Sequence, residues 1–219
     1  MSRKEVKMNN NQTGRSMIEM LGVLAIIAVL SVGGIAGYSK AMLMWRSNVQ
    51  RNMLTELLAA AIKLKPNLNA KSTKWENVTS TLEAMGDVPE GVLYKDGFLV
   101  DKSGIRFAMY YGFQPWTNSD GSRGGQTRCS VWFDFSQNGA KFAPEVEEFC
   151  RNLLLATQQD ADEVVHINFW FNNGKNNNGS TLYTGKILKT ATISEITTKC
   201  NQTFEDAGSA VFELILNPY

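Results

Sequence analysis

The sequence predicts an α+β fold in which one long N-terminal helix lies against an antiparallel β-sheet. Three observations predict it. From Met20 to Ser39 the chain runs 20 residues without a charge. Past Lys40, apolar residues recur at steps of three and four until Pro66. Beyond Pro66 the chain breaks into short aromatic and β-branched stretches divided by Gly, Asn and Asp, the punctuation of strands and turns.

The charge-free run comes first. As a helix it rises ~1.5 Å per residue and spans ~30 Å, the thickness of a bilayer's hydrocarbon core. Glu19 and Lys40 bracket it. Before it, residues 1–14 form a polar leader with Arg3, Lys4 and Lys7 against the single acid Glu5. A secretory signal peptide would have an apolar region of ~7–15 residues followed by a small-residue cleavage site. Here the run is longer, starts at a carboxylate and precedes no A-x-A-like site, so it reads as a retained membrane helix over 20–39. The basic leader places the N-terminus on the cytoplasmic side and the residues after 40 outside.

The helix does not stop at the membrane. Met42, Trp45, Val49, Met53, Leu57, Ala60, Ala61 and Leu64 continue as one apolar stripe, with Lys40, Arg46, Arg51, Glu56 and Lys63 on other faces. Pro66 ends it, since proline lacks the amide a helix needs and restricts its predecessor. The expected helix occupies 15–65, regular from about Ser16 to Lys65 and ~75 Å long. Gly22, Gly33, Gly34 and Gly37 sit inside it; membrane helices tolerate such residues, and they also permit close helix approach or local melting.

Residues 66–219 form the expected globular head. Val92–Val100 reads as a hairpin turning at Asp96-Gly97. Ile105–Tyr111 and Ser130–Phe135 are strand-like, and Gln114–Arg128 between them reads as a polar, Gly-rich loop. Pro144 opens a helix over Glu145–Thr157, with acids in its first turn as the helix dipole prefers. Val164–Phe171 is a strong strand, Asn172–Ser180 an exposed loop and Leu182–Leu188 another strand. Ser194 caps a short helix to about Phe204, and Ala210–Leu216 is the last strand.

Composition narrows the function. The formal net charge is +1 over 219 residues, so no basic excess points to nucleic acid. The single histidine, His166, lies in a predicted strand with no nucleophile motif near it, and one histidine with scattered cysteines builds no usual zinc site. Asn118–Ser122 has the residue types of a calcium loop, but Cys129 stands where the closing carboxylate belongs. Asn77, Asn178 and Asn201 fit the N-glycosylation pattern by chance. Trp45, Trp75, Trp116, Trp132 and Trp170 read as core or interface packing. The expectation is a non-enzymatic chain without cofactor or metal. Three cysteines, Cys129, Cys150 and Cys200, allow one disulfide in an outward-facing domain and leave one thiol over.

The leader junction is Gly14-Arg15-Ser16-Met17-Ile18-Glu19-Met20-Leu21. It resembles the prepilin cleavage site of type IV pilins and type II secretion pseudopilins. The resemblance implies peptidase cleavage after Gly14, N-methylation of the new terminus Arg15, and a filament-assembly role for Glu19 at the fifth mature position. Arg15 departs from the family, whose first mature residue is usually Phe or Met. In the family reading the Glu19 carboxylate meets the N-terminal amine of a neighbouring subunit; a simpler role is a first-turn acid favoured by the helix dipole. The resemblance is specific over residues 14–45, weaker over 148–216 and nearly absent over 66–147.

Glu148–Leu154, the strand Val164–Asn168, and Cys200 with its closing strand resemble the C-terminal half of type IVb and conjugation-type pilins. That likeness implies a Cys150–Cys200 disulfide, with Cys129 a buried strand thiol; Cys129–Cys150 is the alternative pair. The implied fold is the pilin fold, and the implied function is a structural subunit of a type IV pilus-like filament, polymerised through its N-terminal helix. The implied partners are further pilin subunits, the prepilin peptidase and an inner-membrane assembly platform. The precursor would cross the inner membrane once, and the mature chain would enter an extracellular pilus. The alternatives are a pseudopilin in a periplasmic pseudopilus, and a membrane-anchored enzyme or binding protein whose Gly14–Glu19 match is accidental.

Overall fold

A computed structural model describes residues 13–68, 73–117, 120–134, 144–172, 177–201 and 209–217. The chain divides into two units, Met1–Arg46 and Ser47–Tyr219. Helix α1, Thr13–Leu64, begins in the first and ends in the second. In the first unit its described side chains from Met17 onward are almost all exposed, Ile18 at 73% and Leu30 at 68%. In the second unit Leu54, Leu57, Leu58, Ala61 and Leu64 repeat at helical spacing and are all buried. Each such leucine contributes ~1.5–3 kcal/mol on leaving water. The α-helix stops at Leu64 and a 3-10 turn, Lys65–Asn67, carries Pro66, as the proline predicts.

The rest of the second unit is a sheet of eight antiparallel strands among the described residues. In chain order they are β1 (Glu76–Asn77), β2 (Leu93–Lys95), β3 (Phe98–Val100), β4 (Arg106–Thr117), β5 (Arg123–Asp134), β6 (Val164–Asn172), β7 (Asn177–Thr184) and β8 (Ser209–Leu216). Four helices join them: α2 (Thr79–Ala84), α3 (Pro144–Thr157), α4 (Gly185–Leu188) and α5 (Ile193–Cys200). The spatial order is β2-β3-β4-β5-β8-β6-β7, with β1 also on β4. The last strand therefore enters the middle of the sheet.

Strand periodicity divides the sheet into two faces. Phe107, Met109 and Tyr111 of β4, Cys129, Val131 and Phe133 of β5, Ile167 and Phe169 of β6, and Phe212, Leu214 and Leu216 of β8 are buried in one core. The second half of α1 and the apolar stripe of α3 (Val146, Phe149, Leu153, Leu154) belong to the same core. Phenylalanine rings tie the layers: Phe107–Phe133 at 5.3 Å, Phe133–Phe149 at 5.4 Å, Phe149–Phe212 at 5.6 Å and Phe169–Phe212 at 4.9 Å between centroids. At such separations aromatic pairs add about 1 kcal/mol each beyond area burial.

Several elements match expectation. The β2–β3 hairpin turns at Asp96 (φ 52°) and Gly97 (φ 85°), the positive pair a two-residue turn requires. Others correct it. Gln114–Arg128 is not a loop: β4 continues to Thr117 and β5 starts at Arg123, in register from Gly112↔Arg128 to Thr117↔Arg123. Its Gly and Gln content hides a ribbon whose pairing is backbone-driven. Asn172–Ser180 is shorter as a connection, because β6 reaches Asn172 and β7 resumes at Asn177.

Leu182–Leu188 is strand only to Thr184 and helix from Gly185. Thr184 switches it by capping α4, its Oγ1 accepting the Ile187 amide. A Cβ on Gly185 would lie 1.9 Å from the Val164 carbonyl oxygen and 2.2 Å from that of Ala161, so only glycine fits there. The cap of α5 is Thr192 rather than Ser194, in a reciprocal capping box with Glu195. The helix ends at Cys200, and the expected continuation to Phe204 lies outside the described residues. Helix α1 also begins at Thr13, three residues before the expected start.

Candidate functional site

The residues singled out at the junction lie at the start of α1. Gly14 and Arg15 fall within its first turn, with the Arg15 side chain and the leader 1–12 outside the described residues. Glu19 follows one turn later and is exposed. From Met17 onward the helix is long and apolar enough to cross a membrane. Apart from the helix's own backbone, none of the described residues comes within 4 Å of where a Cβ would stand on Gly22, Gly33, Gly34 or Gly37. Exposed apolar surfaces this large mark sites of contact with lipid or with other proteins.

Within the second unit, α1 is held by a polar cluster around Asn152, by Lys63 paired with Asp87 at 2.6 Å, and by the apolar stripe. Asn152 on α3 is buried; its Nδ2 donates to Gln50 Oε1 at 2.8 Å and its Oδ1 accepts from Ser47 Oγ at 3.0 Å. At the far end of the stripe the buried Lys65 donates from Nζ to Glu163 Oε2 at 2.6 Å.

Cys150 and Cys200, 50 positions apart in sequence, form a disulfide with Cα atoms 5.7 Å apart. It ties α3 to α5, and both cysteines are fully buried. Beside it Arg151 Nη1 donates to Asn201 Oδ1 at 3.2 Å. The third cysteine, Cys129, is free and buried in β5, and burial pushes its thiol up to about 12.

Glu213 was not singled out by the sequence, although an acid inside the apolar run of β8 is a visible signal. It is 2% exposed. Oε1 accepts from Ser130 Oγ at 3.0 Å and Trp132 Nε1 at 3.2 Å; Oε2 accepts from Trp170 Nε1 at 3.0 Å and Asn168 Nδ2 at 3.3 Å. These donors come from β5 and β6, the two neighbours of β8. Four donors on two oxygens offset the cost of burying a carboxylate. Trp132 in turn tilts on Tyr110 at 5.0 Å, and Tyr110 stacks on Trp75 at 5.7 Å. Burial raises the Tyr110 phenol despite a hydrogen bond from Asn77.

The remaining candidates have local explanations. His166 is half-buried in β6, with Nδ1 out of solvent and without a hydrogen-bond partner among the described residues. Asp120 accepts the Ser122 hydroxyl at 2.6 Å and its amide at 2.9 Å, which holds its carboxyl below the usual range and commits it to a turn. Asn77 accepts the Thr79 amide and donates to the Gly97 carbonyl. Trp45 is exposed on α1, and the Trp116 side chain lies outside the described residues. Among the described residues no three His, Cys, Asp or Glu side chains converge as a metal site.

No protein-family model, curated protein or solved structure matches the chain.

Proposed function

We propose that this chain is a structural subunit of a type IV pilus-like filament. In this reading a prepilin peptidase cuts after Gly14, Arg15 becomes the methylated N-terminus, and the exposed apolar part of α1 passes from the membrane into a helical bundle of subunits. The observation that carries it is one arrangement: Gly14 and Glu19 at the head of an exposed apolar helix whose continuation is packed into a disulfide-bonded head. The chemistry of assembly is charge pairing. A carboxylate at the edge of a hydrocarbon layer costs a few kcal/mol unless partnered, and cleavage creates an amine four residues before Glu19 that a neighbour's carboxylate can meet.

The test is intact mass and N-terminal sequence of the chain purified from membranes of its native host. A chain starting at Arg15 supports the reading. A start at Met1 points instead to an ordinary membrane anchor, and a start beyond Gly33 to a secreted protein; either outcome removes the filament role. Replacing Gly14 should leave uncleaved precursor. Glu19→Ala should be cleaved normally yet fail to enter filaments.

A further inference from the structure

The last turns of α1 in the first unit carry two large aromatic residues in the open. Tyr38 is 67% exposed and Trp45 62%. Tyr38, Met42 and Trp45 follow at helical steps of four and three, so they share one face, with Met42 half-buried between the two. Lys40 and Arg46 are exposed, and they are the only charged residues between Glu19 and Ser47. Neither forms an ion pair among the described residues. Helix length fixes where these residues fall. With Glu19 at one edge of the hydrocarbon core and an ordinary tilt of ~20°, Tyr38 lies ~27 Å and Trp45 ~37 Å along the membrane normal. The core is ~30 Å thick and each interfacial layer adds ~5–8 Å. Tyr38 therefore reaches the far edge of the core, and Trp45 falls among the headgroups.

We propose that Tyr38–Arg46 is an anchor for anionic phospholipid in the leaflet opposite the leader: Tyr38 and Trp45 sit in its interfacial layer, and Lys40 and Arg46 pair with its phosphates. The inference rests on the membrane-spanning part of the function proposed above and does not need the filament. Phenol and indole each join an apolar body to one polar group, the combination that suits a layer apolar on one side and wet on the other. Lys40 lies at the core edge, where its long stem lets the ammonium reach outward to the phosphates. Charge favours lipid over another helix. A second copy in register would set Lys40 and Arg46 against their own kind, whereas an anionic leaflet supplies the missing counter-charges. The apolar face is also continuous with the candidate span, so lipid that covers one reaches the other.

The test is tryptophan fluorescence of the full-length chain in vesicles of phosphatidylcholine and phosphatidylglycerol. Quenching is compared between lipids brominated near the headgroup and lipids brominated at the chain ends. The signal that Trp45→Phe removes belongs to Trp45. That signal should be quenched most by the shallow label. Trp45 emission that neither label quenches, as under a protein partner or in water, overturns the anchor, and so does strongest quenching by the deep label. Leu30→Trp in the Trp45→Phe background places a probe at mid-span, where the deep label should quench it most. If that probe behaves so while Trp45 is unquenched, the anchor alone fails; if neither is quenched, the membrane span fails with it. Spin-labelled phosphatidylglycerol should be held at the protein in preference to phosphatidylcholine. Lys40→Gln combined with Arg46→Gln should cut that preference about fivefold or more, the ratio given by ~1 kcal/mol per basic side chain at an anionic surface. An unchanged preference overturns the pairing with phosphate.

Discussion

Glu213→Gln exchanges one acceptor oxygen of a buried carboxylate for a donor of nearly the same shape. In the native site each oxygen accepts two hydrogen bonds, one of them from an indole N–H that can only donate. A glutamine amide on the Oε2 side would face the Trp170 N–H, which cannot accept, whereas Asn168 can turn over because the Thr181 hydroxyl at 3.0 Å from its Oδ1 can donate or accept. On the Oε1 side the Ser130 hydroxyl can turn to accept, but the Trp132 N–H cannot. At least one indole loses its partner, and the other bonds lose a charged acceptor. With charge-assisted hydrogen bonds worth ~1.5–3 kcal/mol, the loss is about 3 kcal/mol. For a folded unit of this size that lowers the melting temperature by about 10 °C. The assay is thermal unfolding of the full chain in detergent, followed by tryptophan fluorescence, because Trp132 and Trp170 report on the site itself. A Gln variant that melts within ~1 °C of wild type would show that the four bonds contribute nothing as a carboxylate network.

Three further outcomes follow from the same structure. Cys150→Ser and Cys200→Ser should each cost about 4 kcal/mol, the loop-entropy value for closing some fifty residues, and the double variant no more than either; denaturant unfolding checks this. Cys129 sets a pH dependence. Its folded value of about 12 lies above the ordinary thiol value of 9.0, so its contribution is complete below pH 9 and is lost as pH rises toward 12. The stability difference between wild type and Cys129→Ala should therefore shrink over that window, and a constant difference would refute the burial argument. Gly185→Ala should destabilise by ~3 kcal/mol or more, because its Cβ meets backbone oxygens rather than a movable side chain; unchanged denaturant midpoints would refute the close approach.

The parts of this fold that were legible in the sequence depend on short-range spacing. The span and end of α1 follow from a charge-free run, a three-and-four apolar step and Pro66. The β2–β3 turn follows from Asp96-Gly97, and α3 from Pro144 with its acidic first turn. The misread segments have local composition that contradicts a non-local role. Gln114–Arg128 has the residues of a loop, yet strict cross-strand register makes it a ribbon. Leu182–Leu188 has strand composition throughout, but the carbonyls of Ala161 and Val164 leave room only for a glycine at 185, and the Thr184 cap turns the chain into a helix.

By itself the sequence determined α1, α3, the β2–β3 hairpin and the strands β6 and β8, and where an apolar helix is long enough to cross a membrane, because those properties are set by neighbours within a few residues. Only the tertiary structure decided the rest. It inserted the C-terminal strand between β5 and β6, although Glu213 is 83 residues from Ser130 and 43 from Trp170. It also joined Cys150 to Cys200 across 50 residues, leaving Cys129 alone in β5. The physical reason is that period and composition fix how a segment folds, while the partner it meets depends on which distant faces bury the most apolar surface and satisfy the most polar groups together.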